Sequence, residues 1–186
     1  MGVVTHLKPQ IDMSSVAQLK EGVDQVIRRR MSVSEFAPGD EKLRFMYEYW
    51  SARRKDGLLP ARRDIDILDL RPMVGQIHLL DTTTRDPARF VFRVYGSVGS
   101  RLNQGYNYTN TAIGDYPSEC YRKGLIEDYG AVAFTGTPGY HHVVALLDFI
   151  KYSYSRLILP LADDGRQVDM LLVGIVKRSF KDLQIG

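Results

Sequence analysis

The stretch KYSYSRLILPL (Lys151–Leu161), ADDGRQ (Ala162–Gln167), VDMLLVGIV (Val168–Val176) decides the fold of this chain. In its first part Leu157, Leu159 and Leu161 recur with the period of a strand and share one face. Asp163-Asp164-Gly165 is a hairpin turn signal. The return strand is apolar on both faces, Met170 and Leu172 against Leu171, Val173 and Ile175, which marks the interior of a sheet covered on both sides. Because period two already begins at Tyr140, the chain closes with three antiparallel strands ending near Lys177.

Upstream of them, Pro117 opens a helix whose Tyr121, Leu125, Tyr129 and Val132 follow at helical spacing until Gly136 and Pro138 end it. Residues 96–116 are rich in Gly, Asn, Thr and Tyr and predict loops and short turns. Two strands precede them, Gly75–Asp81 and Arg89–Tyr95, joined by the polar run Thr82–Pro87 into a hairpin. Asp64–Arg71 allows at most a short helical turn, stopped by Pro72. The clearest helix signature begins at Asp40: an N-cap, Glu41 in the first turn, Arg53-Arg54-Lys55 in the last, Gly57 beyond, and Leu43, Met46, Tyr47 and Trp50 on one face. A further helix over Ser14–Arg30 is predicted from Val16, Leu19, Val23 and Val26, although Gly22 weakens it by roughly 1 kcal/mol. Ser32–Pro38 reads as a linker.

The order helix, two strands, helices, three strands is that of a PAS domain, a sensory fold whose helices close one face of a five-stranded sheet around a pocket. Tyr49-Trp50, Pro60-Ala61-Arg62-Arg63-Asp64-Ile65-Asp66, Ile77-His78-Leu79-Leu80-Asp81, Phe92-Arg93-Val94-Tyr95-Gly96 and Leu159-Pro160-Leu161 with Asp164-Gly165 resemble a family of short, stand-alone PAS-like proteobacterial proteins. Gly105-Tyr106 is similar to the general PAS Gly-Tyr. The chain departs from that family at Ile67, where proline is expected, and at Thr109-Asn110, where Thr-Gly is usual. The resemblance runs from Asp40 to Arg178 and implies a cytoplasmic sensing or signalling module, commonly dimeric. The expected architecture is therefore α+β: a PAS-like five-stranded antiparallel sheet with helices on one face and an N-terminal helical extension. Residues 1–38 form the extension and linker, 39–180 the PAS-like domain and 181–186 a tail.

Composition narrows the function. With 186 residues, 44% hydrophobic and 25% charged, the chain has the make-up of one globular domain. Its net charge of +3, from 25 basic and 22 acidic residues, falls short of a nucleic-acid-binding footprint. The single cysteine excludes an internal disulfide and fits a reducing cytoplasm. MGVVTHLKPQIDM lacks the basic and apolar regions of a secretory signal, and the uncharged run Tyr129–Leu147 is too broken by Gly, Pro and His to span a membrane.

Catalytic and cofactor motifs are weak. Cys120 has no nucleophile signature around it, and His78, His141 and His142 lie in other segments. The Asn-Cys-Arg motif of the flavin-binding PAS branch is absent, and Pro117–Phe134 contains no histidine to serve as an axial haem ligand. Haem and flavin are therefore disfavoured, and metal binding has only the adjacent pair His141-His142, whose side chains point to opposite faces of a strand. No phosphate-binding glycine loop is present. Arg28-Arg29-Arg30 reads as a solvated helix end. The compositional oddity is tyrosine, 11 in all, most of them in the second half. Tyr106, Tyr121 and Tyr154, with Arg93 and His142 supplying charge or hydrogen bonds, are the candidate ligand-binding residues, against a reading of simple aromatic packing.

These observations lead to the expectation of a binding module and not an enzyme: a homodimeric PAS-like sensor that takes a small molecule, a protein partner or both, and acts in trans because no output domain is visible. The alternatives are a ligand-free dimerisation module of the same fold and a small α+β enzyme with a His/Asp/Tyr cavity.

Overall fold

The computed structural model describes residues 24–102, 105–147 and 149–179. Helix α1, Glu41–Ser51, buries Leu43, Met46, Tyr49 and Trp50, and Tyr47 is only partly covered. It lies directly on the sheet because Gly174 has no side chain: a Cβ there would stand 2.6 Å from the Met46 sulfur. Trp50 donates its indole N–H to the Pro160 carbonyl at 2.9 Å.

The helix stops at Ser51, so Arg53 and Arg54 do not serve its last turn as expected. They instead lie over the Tyr49 and Trp50 rings, at 3.3 and 5.4 Å, and donate to carbonyls of the following loop. Asp40 also departs from expectation. It makes no cap bond, and its buried carboxylate turns toward the sheet to accept from Tyr140 at 2.5 Å and pair with Arg178 at 3.0 Å.

The chain then runs through 3-10 turns at Arg62–Asp64 and Arg71–Met73 into strand β2 (Ile77–Asp81), a third 3-10 turn, and β3 (Val91–Val94). A short helix α2 (Ser97–Leu102) and a 3-10 turn at Ile113–Asp115 lead to the long helix α3 (Glu119–Thr135). Strands β4 (Gly139–Leu147), β5 (Ile150–Leu161) and β6 (Met170–Lys177) follow, as the period-two pattern predicts. The expected α3 stripe of Tyr121, Leu125, Tyr129 and Val132 is buried, and Gly136 ends the helix at φ 64, the left-handed conformation glycine adopts at no steric cost.

Among the described residues all strands, β1 (Gln25–Met31) included, join one antiparallel sheet of six, in the order β1-β4-β5-β6-β2-β3. The additional strand, β1 (Gln25–Met31), corrects the expectation of a helix over Ser14–Arg30; residues 14–23 lie outside the described residues. Val26 and Ile27 are β-branched, and β4 presents them a ladder, with Ile27 opposite Val144 and Arg29 opposite His142. A narrow stripe on a short helix cannot match that many hydrogen bonds and contacts. The sheet thus starts N-terminal to the expected boundary at residue 39, and Arg28 is no solvated helix end but a strand residue bound to Asp128 of α3.

Helices cover both faces of the sheet, correcting the expectation of one. On one side α3 and α2 pack against Val143, Ala145, Tyr154, Ile158, Leu171 and Val173. On the other, α1 packs against Leu157, Leu159, Leu161 and Leu172. The two-sided apolar pattern of β6 requires this arrangement.

Candidate functional site

Strand alternation places Tyr152, Tyr154 and Arg156 of β5 on the α3 side, where they meet Tyr121 and Tyr129. The Tyr121 and Tyr154 hydroxyls share a hydrogen bond of 2.5 Å. From Tyr121 a train of rings continues to Tyr116 (4.9 Å between centroids), Tyr108 (4.4 Å, stacked), Tyr95 (5.3 Å) and His78 (4.3 Å). Tyr95, Tyr121, Tyr152, Tyr154, Gly99 and Leu102 line a recess of about 10 Å³, room for roughly one water. Burial raises the pKa of Tyr95, Tyr116, Tyr121 and Tyr154 above the usual phenol value, so their hydroxyls stay protonated and can both donate and accept. His78 is pushed down to about 3 by burial and by the nearby Arg156 charge. Neutral, it accepts the Gly96 N–H on Nδ1 at 3.3 Å, which assigns its proton to Nε2. Gly99 is required here, since a Cβ would fall 2.4 Å from the His78 ring.

Beside the tyrosines lies a charge network. Arg156 is 2% exposed, donates to Asp128 and sits 4.9 Å from the Tyr129 ring centre. Burial opposes its charge, but Tyr129, Tyr154, Asp128 and Tyr121 outweigh that and raise its pKa, so it remains a guanidinium. The same carboxylate accepts from Arg28 at 2.6 Å and lies 3.6 Å from His141. Burial, with Arg156 next, pushes His141 down to about 4. Strands β1, β4 and β5 therefore meet α3 at one carboxylate.

Of the candidate residues, the structure brings together Tyr121 and Tyr154 and separates the rest. Arg93 follows the inward Phe92 and so points out, where it pairs with Asp81 at 2.8 Å. Tyr106 is 67% exposed after Gly105. His142 alternates with His141 onto the α1 side, 3.1 Å from the Tyr140 hydroxyl and 3.3 Å from Asp40. Cys120 contacts Ser118 at 3.5 Å, while His78, His141 and His142 face Gly96, Asp128 and Asp40. The residues missed were Arg156, Asp128 and His78. For Arg156 a signal existed: it is the lone charge between Lys151 and Asp163, in phase with Tyr152 and Tyr154. Asn110, where the family favours glycine, has φ 66, a conformation that asparagine tolerates better than most residues.

A family model described as PAS domain matches residues 40–107. Among solved structures, one titled "Structure of an RNA-binding Light-Oxygen-Voltage Receptor" aligns with 9% identity and a TM-score of 0.42, covering 82% of this chain and 38% of that one. The aligned region is thus well under two-thirds of that longer protein. No curated protein matches the sequence. The family match takes in α1, the turns after it, the β2–β3 hairpin and α2, and the remaining strands complete an antiparallel sheet closed by helices; this chain carries a PAS-like domain, the fold of sensory modules.

Proposed function

We propose that this chain is a cytoplasmic sensory module that works by binding and not by catalysis, takes a small polar ligand into its tyrosine-lined interior, and passes the signal to a partner protein. The observation that carries this reading is that four tyrosines, two of them joined through their hydroxyls, line one small recess beside a fully buried cation. Apolar packing alone would favour phenylalanine and leucine there, because each buried hydroxyl needs a partner. Anything larger than water enters only if the lining rings swing aside, and such a displacement would reach β1 through Arg156, Asp128 and Arg28. Neither haem nor flavin belongs to this reading. No described helix is long and apolar enough to cross a membrane.

The test is native mass spectrometry of the purified chain, followed by thermal-shift screening with small phenols and carboxylates. A co-purifying mass or a stabilising compound, weakened by Tyr154→Phe, supports the proposal. A bare chain that no compound stabilises supports the second reading, a ligand-free interaction module, which the small size of the recess favours.

A further inference from the structure

A larger depression, of about 390 Å³, is formed by three segments that do not line the tyrosine recess: the β2–β3 turn, the last turn of α3 and the β5–β6 turn. Its volume falls within the range of small-molecule sites. The side chains with chemistry to offer are Thr82, Arg85, Phe134, Arg166 and Gln167, and no carboxylate lines it.

Among the described residues neither arginine forms a salt bridge; Asp164 acts on Arg166 only through space, and the acids of these loops are otherwise engaged. Asp81 accepts from Thr83 and Arg93, and Asp86 from the Ala88 N–H. Asp164 accepts from the N–H groups of Arg166 and Gln167, and Asp169 from that of Asp163. Thr82 is 4% exposed, yet its hydroxyl has no hydrogen-bond partner among the described residues. Phe134 offers the opposite anomaly, a large ring 62% exposed at the edge of a concave surface. The C-terminal end of α3 works against an anion here, but it amounts to about half a charge against two guanidinium groups. It is also partly satisfied by the Gly136 N–H on Val132.

We propose that this depression binds a phosphate-bearing small molecule with an aromatic ring, of the nucleoside monophosphate class. Arg85 and Arg166 hold the phosphate, whose charge near −2 they balance; guanidinium forks match phosphate oxygens in geometry. Phe134 stacks on the ring, and Gln167 and the Thr82 hydroxyl bond to its polar edge.

Titration calorimetry of the full chain with AMP, inorganic phosphate and adenosine tests this. AMP should bind, phosphate more weakly, and adenosine not at all. Arg85→Ala and Arg166→Ala, both exposed positions, should each weaken AMP by about tenfold or more, the usual effect of losing a charged hydrogen bond. Circular dichroism will show that these variants are folded. Phe134→Ala should weaken AMP and leave phosphate unchanged. Failure of AMP to bind at millimolar concentration, or binding undiminished in the double arginine variant, would overturn the proposal. AMP binding that Phe134→Ala does not weaken would remove the aromatic half of the ligand class.

Discussion

Asp128→Asn keeps the shape of the side chain and removes its charge, which makes it the sharpest probe of the network at the centre of the domain. Arg156, 2% exposed, would be left as a buried cation with only an amide oxygen in place of the carboxylate. Breaking a buried pair from one side costs about 3–5 kcal/mol, and the retained amide bond puts this case at the lower end, about 3 kcal/mol. Arg28 adds no more than about 1 kcal/mol, since its side chain is 24% exposed and keeps Glu127. Arg156→Met should cost less, about 1–2 kcal/mol, because it removes the buried charge itself and leaves Asp128 with Arg28. The double variant should then be about as stable as Arg156→Met alone, a coupling of roughly 3 kcal/mol. Urea unfolding followed by Trp50 fluorescence and far-UV circular dichroism measures all three. The reasoning fails if Asp128→Asn stays within about 1 kcal/mol of the wild type, or if Arg156→Met destabilises as much as Asp128→Asn.

Acid should weaken the fold well before its carboxylates titrate. His78 and His141 are depressed from 6.5 to about 3 and about 4, so below pH 6.5 the unfolded chain binds protons that the folded chain refuses. Stability should fall on the order of 1 kcal/mol per pH unit for each histidine between pH 6.5 and 5; His141→Gln should remove its share, and a flat unfolding free energy over that window would contradict the burial argument. Gly96→Ala should destabilise by about 1–3 kcal/mol, because its Cβ would stand 2.6 and 2.7 Å from the carbonyls of Gly75 and Ile77, backbone that β2 holds in place; a chemical-denaturation midpoint equal to that of the wild type would refute it. Removing residues 1–38 deletes β1 and strips β4 of its ladder from Tyr140 to Leu146. The shortened chain should unfold at lower temperature and associate through the bared edge, and size-exclusion chromatography of both chains tests this together with the expected homodimer: monomers in both cases would exclude a dimer.

Much of the architecture was legible because it depends on short-range periodicity. The β4–β6 meander, the β2–β3 hairpin and the α3 stripe follow from side-chain alternation and from turn residues a few positions apart. The N-terminal segment is ambiguous in the sequence for the complementary reason. Val26 and Ile27 fit a helix by spacing and a strand by branching, and the choice was made by an unpaired edge of β4, more than a hundred residues further on. By position Arg53 and Arg54 suit the dipole of a longer helix, whereas the rings of Tyr49 and Trp50 one turn back compete for them.

The candidate site divides along the same line. The excess of tyrosine and the separation of His141 from His142 onto opposite faces can be read from the chain itself, since composition is explicit and strand alternation is local. Which tyrosines meet is not local: Tyr121 and Tyr154 stand 33 positions apart, Asp128 and Arg28 stand 100 apart, and Asp40 reaches Tyr140 across another 100. A buried charge takes whichever partner the packed elements bring within hydrogen-bond reach, so sequence determined the strands and helices of this domain, and only their packing decided that Arg156, Asp128 and the tyrosine hydroxyls form its polar centre.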